Sequence, residues 1–390
     1  MRNLRIILLL VPVLAWSIFS SPPYCISDVS SETKPRLGVW VTVFSEERVL
    51  YSKENADRLI ESCKKLGIDH VYLQVYRSGK AYYELDDVKN TLKYLLAKAH
   101  KNNIKIYAWV NLLSLAKNVD ADILKKLGKG ALAKDQYGRT PLRKSVKDEL
   151  DKYFIRENQL FLEPGNKDVR KYLTGVAEDI IKKYPDFDGL HLDYVRYPAV
   201  VPFAPGSRFT PPGISYGYEK NNIERFKEIT GLDVETMEHT RENFQKWDNW
   251  RRIQVTALVR DISRQVRKLS PDLKISCTIV PSIERTYLVN FQDWTRWLRE
   301  KYIDWAVVMN YTDDTNMMKL NSRAMLLPQF EGKVYIGIGA FLVKDKLETL
   351  EEQISFLREI RPGGIVIFSY DDIIQSPELQ EYLPLYAAGS

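Results

Sequence analysis

The amino-acid sequence predicts a single closed (β/α)₈ barrel over residues 35–390, with long loops after the third and fourth strands. Eight short apolar or β-branched runs alternate with longer stretches whose apolar residues recur at helical spacing. Such an alternation along a whole chain is typical of a closed barrel. An open doubly wound sheet is the alternative, and the lack of a glycine-rich phosphate loop after the first run disfavours it.

The strands are predicted from runs rich in Val, Ile, Tyr and Phe, which favour extended backbone. They occupy residues 37–44, 68–76, 105–111, 187–195, 274–280, 303–311, 334–341 and 364–370. The helices are predicted where apolar residues return at helical spacing, as Ala56, Leu59, Ile60 and Cys63 do in the first of them. They occupy residues 53–66, 87–102, 167–184, 241–269 and 347–360.

Two connections are much longer than a barrel needs, one from about residue 112 to 166 and one from about 199 to 240. Each follows a strand, so both are predicted on the C-terminal face, where barrel enzymes build their active sites. Long loops in compact domains usually have a function. We therefore expect these two to form the walls of a groove.

The N-terminus has the layout of a secretory signal over residues 1–24. Arg2 and Arg5 precede an apolar run from Ile6 to Phe19, and small residues follow it. The run is short for a membrane span, and an uncleaved anchor is the alternative. Lipidation of Cys25 is disfavoured because Pro-Pro-Tyr precedes it. We expect export to the periplasm, cell envelope or exterior, with membrane contact only through this segment.

Composition argues against several other classes of protein. The net charge is a mild +6, and no basic cluster interleaves with aromatic residues, so a nucleic-acid partner is not expected. Three cysteines do not make a disulfide framework, and Cys63 and Cys277 are predicted to be small core residues. None of the four histidines is paired at the spacing of metal ligands, so neither a metal nor a cofactor is expected.

The fourth predicted strand carries the most informative side chains. His191 and Asp193 share one face of this strand, while Leu190 and Leu192 share the other. Leucines suit the outer face beneath the helices, which directs Asp193 into the open mouth of the barrel. A carboxylate there is costly unless it is hydrogen-bonded or catalytic. A catalytic Asp193 is the main hypothesis; anchoring the loop through Arg196 is the alternative, and His191 is expected to support it.

Other strands also end in polar and aromatic residues, and their convergence on one rim suits a sugar. Sugar rings stack their flat apolar faces on aromatic side chains, while their hydroxyl groups pair with carboxylates, amides and guanidinium groups. The substrate-binding side chains are predicted to be Trp40, Tyr76, Arg77, Trp109, Asn111, His191, Tyr194, Arg196, Tyr197, Asn310, Tyr311, Asp313 and Tyr370.

Glycoside hydrolysis requires a pair of carboxyl groups, one of which gives a proton to the leaving oxygen. Asp193 is the first of the predicted pair. Glu284, just beyond the fifth strand, is the preferred second, and Glu163, Glu219 and Asp313 are its competitors. A non-catalytic barrel that binds glycan as a scaffold is the alternative function. Retention and inversion of configuration both remain open.

At these positions the chain resembles the glycosyl-hydrolase-like family 10 proteins, over about residues 36–375. The resemblance is carried by RLGVWV at 36–41, QVYRSGKAYY at 74–83, AWVN at 108–111, LEPGNKDVR at 162–170, DGLHLDYVRYP at 188–198, WRRIQV at 250–255, DW at 293–294 and VMNY at 308–311. It implies a (β/α)₈ fold, bacterial export and glycosidase-type activity on a cell-wall or exopolysaccharide glycan. It also matches the family's strand-four aspartate to Asp193.

The chain departs from related patterns at several positions. Many relatives carry Arg and Asp where this chain has Tyr76 and Lys80, and the loop at 112–161 does not follow the usual pattern. Chitinases of glycoside hydrolase family 18 place a catalytic Glu where Val195 stands, so their mechanism is not expected. Barrel glycosidases with a Glu at the end of strand seven also match poorly, because this strand ends in Ile-Gly-Ala-Phe at 338–341.

Overall fold

The computed structural model describes residues 36–142, 158–199 and 214–388. Each barrel strand pairs in parallel with the next along the chain, and the last pairs with the first, so the sheet closes. The predicted (β/α)₈ barrel is thereby confirmed. Its strands are β1 (Arg36–Val41), β2 (His70–Arg77), β3 (Lys105–Asn111), β4 (Gly189–Asp193), β5 (Lys274–Ile279), β6 (Trp305–Met309), β7 (Val334–Gly339) and β8 (Gly364–Phe368).

A helix follows each barrel strand and packs outside the sheet. These helices are α1 (Lys53–Leu66), α2 (Asp86–Lys101), α3 (Lys167–Lys183), α4 (Arg241–Leu269), α5 (Trp294–Arg299), α6 (Thr315–Met325), α7 (Leu347–Ile360) and α8 (Pro377–Ala388). Those predicted from the sequence begin and end within one residue of their expected bounds. Side-chain caps explain several starts, because Ser52, Asn166 and Thr240 accept hydrogen bonds from the first free amides of α1, α3 and α4.

The two long connections contain secondary structure of their own. The connection after β3 holds the helix Asp122–Leu127 and two short antiparallel strands, Ser114–Ala116 and Leu160–Phe161. The connection after β4 holds the helix Lys220–Thr230. Both connections leave the carboxyl ends of barrel strands, so these inserts lie on the C-terminal side of the barrel.

Aromatic side chains fill the barrel interior, where smaller branched residues are usual. Together with Val307 and Val366, they form one buried cluster of Trp40, Tyr72, Tyr107, Trp109, Trp305 and Tyr335. Glycines make room for these rings: a Cβ on Gly38 would lie 3.0 Å from Tyr72, and one on Gly337 would lie 2.9 Å from Trp40. The leucines of β4 face the other way, into the core between sheet and helices.

The predicted secretory segment lies outside the described residues. In the part of the chain that the structure describes, no helix is long and apolar enough to cross a membrane. Cys63 and Cys277 are buried and unbridged, as expected of core residues.

Candidate active site

Asp193 is the last residue of β4, and its side chain points into the mouth of the barrel. It pairs in register with Asn111, the last residue of β3, so both strands end at the same level. Leu190 and Leu192 are fully buried in the outer core, and only 4% of Asp193 is exposed. The alternation of side chains along a strand therefore places this carboxyl group as the sequence predicts.

Hydrogen bonds from both neighbouring strands fix the Asp193 carboxyl group. Trp109 on β3 donates its Nε1–H to Oδ2 at 3.0 Å, and Thr278 on β5 donates its hydroxyl to Oδ1 at 2.5 Å. The backbone amide of Tyr194 also donates to Oδ1, at 2.7 Å. Tyr194 has a φ of +53°, and this left-handed turn aims its amide back at the carboxyl group. The two oxygens are thus held by rigid elements.

Burial raises the pKa of Asp193 above its ordinary value. The hydrogen bonds from Thr278, Trp109 and the Tyr194 amide oppose that shift, as does the positive charge of Arg196. A raised pKa moves proton exchange on this carboxyl group closer to neutral pH. Such a group, at the mouth of a barrel, has the character of a catalytic carboxyl group.

His191 lies beneath Asp193 and is completely buried. Trp40 donates its Nε1–H to His191 Nε2 at 2.9 Å, and His191 Nδ1 lies 2.8 Å from the hydroxyl oxygen of Ser276. Burial lowers the pKa of His191 to about 3, so the ring is neutral and Nδ1 carries the proton. His191 and Trp40 were predicted to bind substrate. The structure instead places both inside the barrel, where they support the mouth from below.

Aromatic rings line the mouth on the side of β6 and β8. Tyr311, which follows β6, lies 5.7 Å from Phe368 between ring centroids, and Phe368 lies 6.3 Å from Trp109. Both Tyr311 and Phe368 are partly exposed. Burial raises the pKa of Tyr311 well above its ordinary value, and the nearby charge of Asp193 adds to the shift. Of the predicted substrate-binding residues, Trp109 and Tyr311 therefore stand beside the carboxyl group.

A polar cluster occupies the opposite side of the mouth, at the ends of β2 and β3. Gln74 donates its side-chain amide to Asn111 Oδ1 at 3.2 Å, and Arg77 donates to Gln74 Oε1 at 3.4 Å. The Arg77 guanidinium also lies over the ring of Phe44, 4.9 Å from its centroid. Asn111 and Arg77 were predicted to bind substrate, whereas Gln74 and Phe44 were not assigned that role.

Tyr194 and Arg196 lie together on the loop that leaves β4. The Arg196 guanidinium lies 4.8 Å from the ring centroid of Tyr194 and 5.6 Å from that of Phe161. The loop after β4 thereby contacts the insert that precedes α3. Arg196 acts on Asp193 through its charge and is itself buried.

Three predicted substrate-binding residues point away from the mouth. Tyr76 is buried near Tyr172 of α3, outside the barrel. The sequence assigned it because it stands near the end of the second strand, but the pairing of β2 with β3 shifts register between Gln74 and Tyr76, which turns its side chain. Tyr370 begins the short helix Tyr370–Gln375, and its hydroxyl donates to Ser62 of α1.

The third of these residues is Asn310, which holds α6 in place. Its side-chain amide donates to the Met318 carbonyl oxygen at 2.9 Å and to the Ser322 hydroxyl at 3.0 Å. Asp313 lies farther along the same loop and is half exposed, and Lys346 donates to its carboxylate at 2.5 Å. The structure thus gives both residues partners outside the mouth.

The competing carboxylates stand in different surroundings. Glu284 is exposed and directly precedes the π-helical turn Arg285–Val289 that follows β5. Glu219 caps the helix Lys220–Thr230, where its carboxylate accepts from the Asn221 and Asn222 amides, and burial raises its pKa.

Glu163 is completely buried between the two inserts. The amide of Gly165 donates to its Oε1 at 2.9 Å, and the hydroxyl of Tyr197 donates to the same oxygen. Among the described residues, nothing hydrogen-bonds Oε2. Burial raises the pKa of Glu163 to about 7, and the charge of Glu219 adds to that shift. Tyr197, predicted to bind substrate, is therefore engaged beneath the insert.

Thr278 was missed by the sequence analysis although it contacts Asp193 directly. Its signal was the alternation of Ser276 and Thr278 with Ile275, Cys277 and Ile279, which directs the two hydroxyl groups into the barrel. Within residues 36–142, 158–199 and 214–388, no group of three His, Cys, Asp or Glu side chains is placed to hold a metal ion.

Comparison with known proteins relates this barrel to glycoside hydrolases. The chain is similar to glycosyl hydrolase YngK of Bacillus subtilis, with 24% identity over 57% of this chain and 39% of that protein. It is also similar to glycosyl hydrolase DigH of Escherichia coli K12, with 20% identity over 65% of this chain and 56% of that protein. The chain thus spans about two fifths and just over half of these relatives.

Solved structures with the same fold include the glycoside hydrolase domain of PgaB (BpsB) from Bordetella bronchiseptica. Its TM-score is 0.64 at 15% identity, and the match covers 90% of this chain and 98% of that one. The β-galactosidase of Bacillus circulans sp. alkalophilus has a TM-score of 0.57 at 13% identity, covering 86% of this chain and 50% of that one.

The family profile described as Glycosyl hydrolase-like 10 matches residues 36–337, which include β1 to β6, most of β7 and Asp193. This match confirms the resemblance noted in the sequence. With most of its barrel covered by the profile, the chain belongs to the Glycosyl hydrolase-like 10 family.

Proposed function

We propose that this protein is an exported glycoside hydrolase that cleaves a bacterial glycan, either of the peptidoglycan type or an exopolysaccharide. The observation that carries the proposal is the Asp193 carboxyl group, buried at the barrel mouth and held by three hydrogen bonds. Export is supported by the Arg2 and Arg5 pattern ahead of an apolar run.

Asp193 acts as the carboxylate of the catalytic pair. Trp109 and the Tyr194 amide are donors only, and each holds a different oxygen of Asp193. This arrangement favours the ionised form at the moment of reaction. The carboxylate then either attacks the anomeric carbon or takes a proton from the attacking water, as the distance to its partner dictates.

Glu284 is the proposed proton donor to the leaving oxygen. It follows β5, the strand that pairs with β4, so its loop borders the mouth beside Asp193. Its exposed side chain is free to reach over a bound sugar. Glu163 is a weaker choice, because Tyr197 and Gly165 engage it within the protein.

A non-catalytic glycan-binding barrel is the competing function. It is favoured by the position of Glu284, which belongs to an exposed turn and not to the rigid end of a strand. A scaffold would use the aromatic side of the mouth to hold sugar without cleaving it.

Release of new reducing ends separates the two functions. The full chain, freed of any secretory segment, is incubated with intact peptidoglycan, peptide-free glycan strands and exopolysaccharides, beside the Asp193→Asn and Glu284→Gln variants. Hydrolysis by the wild type that both substitutions abolish is the expected result. Retained binding of a glycan by a wild type that cleaves none of them would establish the scaffold function instead.

A further inference from the structure

The end of β7 presents an aromatic side chain to solvent at the barrel mouth. β7 ends at Gly339, a four-residue helix Ala340–Val343 follows, and Phe341 in that helix is 46% exposed. Single exposed apolar side chains are common on protein surfaces, so what distinguishes Phe341 is its exposure beside the barrel mouth. The fold itself does not require it, because the neighbouring Ala340 and Val343 fill the core.

Phe341 ends a continuous series of rings that begins at the catalytic carboxyl group. Trp109 donates to Asp193, Phe368 lies 6.3 Å from Trp109, and Phe341 lies 6.1 Å from Phe368. Phe341 also lies 6.0 Å from Tyr311. Exposure increases along this series, from buried Trp109 through partly exposed Phe368 to exposed Phe341. The series therefore leads from the reacting centre out to solvent.

The lack of a side chain at Gly339 leaves room for the ring of Phe341 in this position. A Cβ at residue 339 would lie 2.9 Å from Phe341 Cε1 and 3.1 Å from Tyr311 Cβ. Its φ of −88° is open to any residue, so space and not backbone conformation demands glycine. The sequence at the end of β7 is thus adapted to hold Phe341 against Tyr311.

The contacts of Phe341 keep it available for a ligand. Both ring contacts are edge-to-face, at interplanar angles of 83° with Tyr311 and 86° with Phe368, and neither is a parallel stack. Phe44 across the mouth is also exposed, but the guanidinium of Arg77 already lies over one face of its ring. An exposed ring beside a polar, carboxylate-bearing cleft matches a ligand with one apolar face and a hydroxylated edge.

We infer that Phe341 is a stacking subsite for a sugar ring of the glycan that lies next to the ring held at Asp193. The inference rests on the proposed glycoside hydrolase function and specifies where the chain of sugars leaves the catalytic centre. The end of β7 thus serves to bind an extended substrate. The protein therefore selects long glycans over short glycosides.

Three variants test the inference: Phe341→Ala, Phe341→Trp and, as a control, Leu320→Ala, which truncates a side chain 65% exposed on α6. On peptide-free glycan strands, Phe341→Ala is expected to raise KM about tenfold, or about 1.4 kcal/mol, with kcat nearly unchanged. The Trp variant restores KM, and the control leaves it unchanged. Aryl glycosides of a single sugar, which place no second ring at residue 341, show no effect of any variant.

The outcomes separate this inference from the proposed function. Active wild type whose KM is unchanged by Phe341→Ala would overturn the subsite and leave hydrolysis standing. Wild type that binds strands without cleaving them, with binding weakened by Phe341→Ala in an affinity gel, would support the subsite and refute hydrolysis. Wild type that neither binds nor cleaves any glycan would refute both.

Discussion

Two buried carboxyl groups on the C-terminal side of the barrel have opposite surroundings. Asp193 ends a barrel strand, and donors from β3, β5 and its own turn hold both of its oxygens. Glu163 lies in an insert, and its hydrogen bonds converge on Oε1 alone. Burial raises the pKa of both groups.

The difference supports the proposal that Asp193, and not Glu163, takes part in the reaction. Asp193 opens into a mouth lined by partly exposed Tyr311 and Phe368, so a substrate can reach it. Glu163 has no exposed surface and ties the insert before α3 to Tyr197 on the β4 loop. We therefore propose that Asp193 serves the reaction and that Glu163 holds the wall of the cleft at a cost in stability.

The largest expected effect is on the pH dependence of stability. The pKa of Glu163 is about 7 in the folded protein and about 4.5 when unfolded, so the folded state binds this proton more tightly. Below pH 4.5 this group contributes about 3 kcal/mol to the free energy of unfolding. That contribution is lost as pH rises through 7. Glu163→Gln keeps the shape without the titration, so the variant should lose less stability with rising pH.

Urea unfolding at pH 5 and pH 8 checks this prediction. The wild type is expected to lose about 2 to 3 kcal/mol more than Glu163→Gln between the two values. His191, with its pKa lowered to about 3, contributes in the opposite direction. Its contribution to the free energy of unfolding is lost as pH falls below the ordinary pKa of histidine. That contribution is common to both proteins and cancels in the difference. Parallel losses in the two proteins would contradict the role given to Glu163.

The next effect is on the pH profile of activity. Thr278→Val removes one hydrogen bond from Asp193 without changing the shape of the residue, so the pKa of Asp193 rises further. A hydrogen bond to a charged group contributes about 1.5–3 kcal/mol, so kcat/KM should fall about 10- to 100-fold. The acidic limb of the profile should move to higher pH.

Ser276→Ala is the matched control for this variant. Ser276 lies on the same face of β5 but pairs with His191. Its removal should leave the acidic limb in place. A shift of the basic limb in Thr278→Val, with the acidic limb unmoved, would instead make Asp193 the proton donor.

The smallest effect is expected at Asp313. Its partner Lys346 is half exposed, and so is Asp313 itself. Exposed pairs of this kind contribute little to stability because water screens them. Asp313→Ala should therefore leave the urea midpoint of unfolding nearly unchanged and KM within about twofold of the wild type. A loss of activity approaching that of Asp193→Asn would place Asp313 in the catalytic pair.

Local patterns in the sequence were enough to predict the barrel and the direction of Asp193. Strand alternation placed Leu190 and Leu192 outside and Asp193 at the mouth, because a regular strand transmits side-chain direction without reference to the rest of the fold. The same alternation along β5 directs Thr278 into the barrel, but only the structure shows its contact with Asp193.

The rest of the site depends on contacts that no local pattern contains. The side chain of Tyr76 points outward because a register shift interrupts β2. The direction of the Tyr370 side chain is set by the helix that begins just after β8. The pairing of Glu163 with Tyr197 joins two loops far apart in sequence. Such tertiary contacts depend on packing, which a single sequence does not show.

Reducing-end release by Asp193→Asn and Glu163→Gln, measured side by side on the glycan that the wild type cleaves, tests the central claim most directly. Asp193→Asn should lower kcat by at least about 100-fold with its fold intact. Glu163→Gln should keep kcat within a few-fold of the wild type at pH 6. Activity retained in Asp193→Asn and lost in a folded Glu163→Gln would contradict the catalytic role proposed for Asp193.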